Sequence, residues 1–342
     1  RAGVDRAFVF AYSNNLGYSS NRGEMSIPVP SKTYRLSCHC QKNVLELTLA
    51  LPSPPLEHGT PFDDNGVCDC SHCVKRRIIW FFAPRESIKV LKGGAGKALK
   101  EYRFGSRSSA HPFCDDCGTY FPGTSAGEGE IPINLRTIRD KDFDLWSLPM
   151  TQYSGINRKP PYSDPSPPEG AEIYLADRAK HYDYPTEVYV GSCHCQAVTF
   201  AVLSKPITEV LVIDCSCSLC LGNGALWVYP GRHDIFFHPS SPNPYNPDPA
   251  LVTRYKFNAG KNEHVFCKTC GCQLFEAREA KEDEQGFEGW EEQNGDERSF
   301  GLNVALFNRM DEYLADGVGE KFRGLKQNKR QRWEEPIYQM KL

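Results

Sequence analysis

The chain has 342 residues, 40% of them apolar, and a net charge of -3 from 40 basic and 43 acidic side chains. That is length for two ordinary domains, apolar content above that of a disordered chain, and a charge balance with no electrostatic footprint for nucleic acid. No apolar run is long enough to cross a membrane as a helix, and Ala7–Tyr12 is too short for a secretory core, so no membrane partner is expected.

Residues 1–31 read as an N-terminal extension, and a first domain spans 32–157. It opens with Ser37-Cys38-His39-Cys40-Gln41. A loop containing Pro52 to Pro55 leads to Cys68-Asp69-Cys70-Ser71-His72-Cys73, and Ile78–Phe82 reads as a buried strand. Tyr102 and Phe104 precede His111-Pro112-Phe113-Cys114, with Cys117 and Gly118 closing the knuckle; Ile133-Asn134-Leu135 and Tyr153-Ser154-Gly155 follow. Residues 158–186 are a proline-rich linker, extended and fairly stiff over Lys159–Gly170.

The second domain, 187–325, repeats this order. Glu187–Val190, Val198–Val202, Glu209–Ile213 and Ala225–Tyr229 have the β-branched and aromatic content of strands. His238–Pro249 reads as an irregular surface insertion, and the acidic stretch Glu276–Glu297 as a solvated segment. Residues 326–342 form a C-terminal tail, and the basic stretch Lys321–Arg332 is expected to be solvated. Helical periodicity is scarce, so the fold class is mainly β.

Fifteen cysteines divide into two copies of one seven-cysteine pattern, with Cys272 outside as a small buried residue. The second copy is Cys193-His194-Cys195, then Cys215-Ser216-Cys217-Ser218-Leu219-Cys220, then Cys267 and Cys270. The offset between copies is 155, 147 and 153 residues at the three clusters, far longer than a solenoid period, which reads as a domain duplication. In each copy a tryptophan, Trp80 or Trp227, stands seven residues beyond the middle cluster and reads as core.

Three cysteines in six residues are awkward for separate disulfides and natural for one metal ion, which places the chain in a reducing compartment, by default the cytosol. A Cys-x-Cys turn and a Cys-x-x-Cys knuckle can join into one four-thiolate site. That pairs Cys38 and Cys40 with Cys114 and Cys117, and Cys193 and Cys195 with Cys267 and Cys270. Cys68, Cys70 and Cys73, and likewise Cys215, Cys217 and Cys220, then supply three sulfurs each and leave a coordination position open for water or a substrate thiol. The expectation is up to four zinc ions, two structural and two exchangeable. A histidine could instead complete a triad, with His72, His111 and His264 as candidates; His39 and His194 should point away from the metal. Asp69, Asp214 and His72 lie near the triads, but spacing assigns none of them as a general base.

The order Ser-Cys-His-Cys, Cys-x-Cys-Ser-x-Cys, Phe-Cys-x-x-Cys-Gly and an asparagine-bearing strand resembles the glutathione-dependent formaldehyde-activating enzyme and centromere protein V family, in two tandem copies. The resemblance implies compact zinc-clamped β-sheet domains and a zinc-dependent carbon–sulfur lyase whose partner is a small thiol, such as glutathione, or its adduct with an electrophile. It also implies catalytic roles for the two three-cysteine sets. The second copy matches better: Leu221-Gly222-Asn223-Gly224 follows its triad where the first has Val74-Lys75-Arg76-Arg77. A non-catalytic zinc-stabilised scaffold is the alternative, and a larger thioether or carbonyl substrate a further one.

Overall fold

The computed structural model describes residues 30–51, 61–62, 65–94, 98–121, 129–157, 160–279, 298–314 and 325–327. Residues 1–29, most of the Pro52–Pro55 loop region, 280–297 of the acidic stretch and most of the basic tail lie outside them, as does Phe322–Gly324.

The first part of the chain forms β1 (Ser31–Ser37), β2 (Val44–Ala50), β3 (Gly66–Cys68), α1 (Ser71–Arg76), β4 (Ile79–Pro84), β5 (Ile88–Lys92), β6 (Leu99–Tyr102), β7 (His111–Cys114), β8 (Glu130–Asn134) and β9 (Thr151–Tyr153). After α2 (Ala171–Ala179) come β10 (Glu187–Ser192), β11 (Thr199–Ser204), β12 (Val212–Asp214), α3 (Ser218–Asn223), β13 (Trp227–Val228) and β14 (Ile235–His238). The order ends with β15 (Val252–Phe257), β16 (Asn262–Cys267), β17 (Gln273–Glu279), β18 (Arg298–Asn303), α4 (Asp311–Leu314) and β19 (Leu325–Gln327).

Period-two patterning explains the strands. In β2, Leu45, Leu47 and Leu49 turn inward while Thr48 and Ala50 face solvent. The β1-β2-β5 and β10-β11-β14 sheets have the same antiparallel layout, and β8-β4-β3-β9 is matched by β18-β13-β12-β19. In both, the strand entering the triad pairs antiparallel with its successor and parallel with a late strand: β3 with β4 and β9, β12 with β13 and β19.

Two strands are shorter than expected. Glu209 sits in a turn whose N–H donates to Pro206, so only Val212–Asp214 pairs as β12. Asn303 Oδ1 takes the N–H of Leu226, which limits β13 to Trp227–Val228. Within 158–186, the described residues from 160 to Gly170 lack regular structure, but Ala171–Ala179 is a helix. Its Ala171 and Leu175 are buried against Ala201 and Leu203 of β11.

The two principal cores each draw on both halves. Val74 of α1, Tyr102 and Phe113 join the core built on Val198, Phe200, Phe266 and Leu302. Leu219 and Leu221 of α3 reciprocate, packing with Leu36, Leu45, Phe121 and Ile133. Gly118 and Gly271, after the two knuckles, both have left-handed backbone, with φ of +72° and +68°. Each faces a phenylalanine from the other half: a Cβ at Gly118 would lie 2.9 Å from Phe266, and one at Gly271 2.6 Å from Phe113.

Candidate metal centres

The cysteines converge as the spacing predicts. The sulfurs of Cys38, Cys40, Cys114 and Cys117 lie within 4.8 Å of one another, and so do those of Cys193, Cys195, Cys267 and Cys270. Sulfur–sulfur separations of 3.6 Å (Cys38–Cys40), 3.5 Å (Cys40–Cys114) and 3.6 Å (Cys195–Cys267) are far too long for disulfides. They match the edge of about 3.8 Å that a tetrahedron of zinc–sulfur bonds near 2.3 Å requires. Backbone N–H groups point at the sulfurs, Asn43 at Cys38, Val198 at Cys193 and Thr269 at Cys267, each at 3.4 Å, as suits acceptor thiolates. The donor set and its geometry fit zinc. Cys272 belongs to neither of these groups of four and is fully buried.

The triads Cys68, Cys70, Cys73 and Cys215, Cys217, Cys220 form two further groups within the same limit. Each straddles the start of a short six-residue helix, α1 or α3, which brings its third sulfur back toward the first two. The tryptophans are buried, but they do more than fill space: Trp80 Nε1 donates to Cys73 Sγ and Trp227 Nε1 to Cys220 Sγ, both at 3.3 Å. The seven-residue spacing thus supplies a hydrogen bond to the third sulfur of each triad.

Around the second triad stand His264, a candidate to complete it, and groups that the sequence reading passed over. Glu276, expected to be solvated with the acidic stretch, is a β17 residue turned toward Cys220; Cys220, His264 and Glu276 themselves form a cluster within 4.8 Å. His264 Nε2 lies 3.8 Å from Cys220 Sγ and 3.1 Å from Glu276 Oε2, while Gln273 Nε2 is 2.8 Å from His264 Nδ1. With Gln273 donating to Nδ1, the ring proton sits on Nε2 and faces the carboxylate. Tyr229 donates to the other carboxylate oxygen at 2.9 Å, and burial, reinforced by Glu276, pushes its phenol well above the usual range. The one available signal was position: Glu276 lies six residues beyond Cys270, where the first copy has Gly123, and Tyr229 answers Phe82.

The other candidates have different work. Asp214 is held by Arg77 in a two-pronged ion pair, at 3.1 and 2.8 Å, with side chains 2% and 0% exposed. Asp69 accepts from the N–H groups of Gly155 and Ile156. His72 lies outside its triad's metal group, fully buried against Phe104 (ring centroids 5.0 Å) and His111 (4.4 Å). His111 Nδ1 is 3.3 Å from the Tyr120 hydroxyl. His39 and His194 do turn from their own cysteines, and each reaches the other half: His39 Nδ1 is 2.9 Å from Ser218 Oγ and His194 Nε2 is 3.0 Å from Ser71 Oγ. Burial holds His39 down to about 4 and His194 down to about 3, so both rings are neutral at pH 7.

A family model, the glutathione-dependent formaldehyde-activating enzyme, matches residues 188–287. One such domain therefore lies in this chain. The match spans the second set of seven cysteines together with Tyr229, His264 and Glu276. Among solved structures, a Rhodobacter sphaeroides protein is 28% identical over 34% of this chain and 99% of its own, with a TM-score of 0.27. Members of the matched family act on glutathione adducts, which points to a glutathione-related, zinc-binding function. Among the described residues no helix is long and apolar enough to cross a membrane.

Proposed function

We propose that the chain is two tandem zinc-clamped β-domains, 32–157 and 187–325, and that the second is a carbon–sulfur lyase for thiol adducts of small electrophiles. The observation carrying this reading is the second triad, whose Cys220 sulfur also clusters with His264 and Glu276 inside the family-matched segment. The two groups of four cysteines hold structural zinc, and Cys215, Cys217 and Cys220 hold the exchangeable one. Zinc bound there supplies Lewis acidity, lowering the pKa of a thiol and polarising an oxygen.

The residues do the rest. In the adduct-forming direction the thiol sulfur adds to the carbonyl carbon, and the carbonyl π pair moves to oxygen. Glu276 Oε2 accepts the thiol proton and returns it to that oxygen. His264 Nε2–H and the Tyr229 hydroxyl, one on each carboxylate oxygen, fix the orientation of Glu276. The first triad has Phe82 and Gly123 at the corresponding positions, so it lacks both groups.

The test is the rate at which the zinc-loaded chain forms S-hydroxymethylglutathione from glutathione and ¹³C-formaldehyde, followed by NMR. Glu276→Gln should lower the rate by about 10²–10⁴-fold with zinc content unchanged, and Cys217→Ser should abolish it. A wild-type chain that binds zinc but does not exceed the uncatalysed rate would favour the zinc-stabilised scaffold instead.

A further inference from the structure

Beside the first triad lies a cleft of about 860 Å³ built from both halves of the chain. Cys70, Ser71 and Lys75 of the triad loop and α1 form part of its lining, and Tyr162 and His194 contribute from the other side. Its aromatic lining is continuous. Tyr162 stacks on His194 with centroids 5.0 Å apart, His194 meets Phe104 at 4.4 Å, and Phe104 stacks on Tyr102 at 5.5 Å.

Lys75 is the unusual member. It replaces a small residue of the second copy, Gly222, and is only 4% exposed. Its ammonium donates to the Leu306 carbonyl at 2.8 Å and stands 5.8 Å above the centre of the Tyr162 ring. None of the ion pairs among the described residues reaches it; Asp164 and the sulfurs of Cys193, Cys270 and Cys272 act on it only at longer range, without a hydrogen bond to it. Most of the other charges of the cleft, Asp311 excepted, have partners. Asp69 is taken by two N–H groups, Asp164 by the N–H of Arg309, the Arg309 guanidinium by Glu312, and Arg103 by Glu101. A buried ammonium satisfied by one carbonyl is costly unless something anionic completes it.

We infer that this cleft binds a planar aromatic ligand bearing a carboxylate, the carboxylate pairing with Lys75 and the ring stacking along Tyr162, His194 and Phe104. The inference goes beyond the lyase reading, since it concerns the other triad and a residue that the second copy lacks. The cleft is also far larger than a one-carbon electrophile needs.

Calorimetric titration of the zinc-loaded full chain with 2-naphthoate, and with the neutral isostere 2-naphthamide, tests it. The wild type should prefer the carboxylate by about ten-fold or more, the usual worth of a charge-assisted hydrogen bond in a shielded site. Lys75→Met should remove the preference while leaving amide binding intact, Lys75→Arg should retain it, and Tyr162→Ala should weaken both ligands. Should Lys75→Met not fold, Lys75→Arg and Tyr162→Ala still decide the matter. Equal affinity of the wild type for both compounds, no binding of either, or an unchanged preference in Lys75→Met would overturn the proposal. Binding requires no turnover, so the two readings fail separately. A charge-dependent naphthoate site in a chain without lyase activity sinks only the lyase, and turnover without that preference sinks only this site.

Discussion

Arg77 takes a left-handed backbone with φ of 45°, a conformation that costs a side-chain-bearing residue about 1 kcal/mol. Its guanidinium is committed to Asp214 in the interior, so the position is held by charge as well as by chain geometry. Asp214→Ala should cost about 3–5 kcal/mol in urea unfolding, because it leaves a buried arginine without its anion. The double variant Arg77→Met/Asp214→Leu should recover most of that loss, since a shape-filling apolar pair often does as well as a buried ion pair. If the single variant proves neutral, the ion pair is not holding the halves. Asp214 also shows why spacing could not name a general base. It stands one residue before Cys215, yet its carboxylate turns to Arg77, while Glu276 reaches the same triad from 56 residues beyond Cys220.

At the scale of elements, α1 and α3 meet end to end. Gly224 closes α3 with φ of 62°, and a Cβ there would lie 2.0 Å from the Arg76 carbonyl oxygen. Gly224→Ala should therefore destabilise by more than the backbone penalty alone, about 2 kcal/mol or more, read as a fall in melting temperature. An unchanged melting temperature would mean the helix ends are free to separate. Much of the fold was visible in the sequence because short-range chemistry sets it. Leu45, Leu47 and Leu49 alternate, Cys-x-Cys and Cys-x-x-Cys fix their own turns, and Trp80 and Trp227 keep register with their triads. What escaped was long-range. Ala171–Ala179 has the composition of a helix, with Ala171 and Leu175 one turn apart, but nothing local marks it as docked on β11. Nothing local shows that Val74 belongs to the core of the other half, or that Lys75 faces a cleft.

At the scale of the molecule, the reciprocal burial of α1 and α3 makes the halves mutually dependent. A fragment spanning 187–342 would expose Leu219 and Leu221, now 0% and 2% exposed against the first half. Expressed alone, it should self-associate or aggregate by light scattering; a stable monomer would count against the shared core. Metal content belongs to this scale too. Native mass spectrometry should find four zinc ions per chain, two released by mild chelation from the triads and two removed only with unfolding, since structural zinc contributes to folding free energy. Two tightly held ions and no others would mean that the triads are not metal sites as isolated.

The meeting of Arg76 and Arg77 with Gly224 bears on how such a chain can vary. Were the two halves identical, an arginine in place of Gly224 would stand against Arg77, and a bulky cation opposite its own copy would crowd and repel. Carried on one polypeptide, the contact admits a large partner and a small one, and a change on one side can be absorbed on the other. Covalent linkage thus frees the surroundings of the two cysteine triads from having to resemble each other, so that one can keep its chemistry while the other acquires a new ligand.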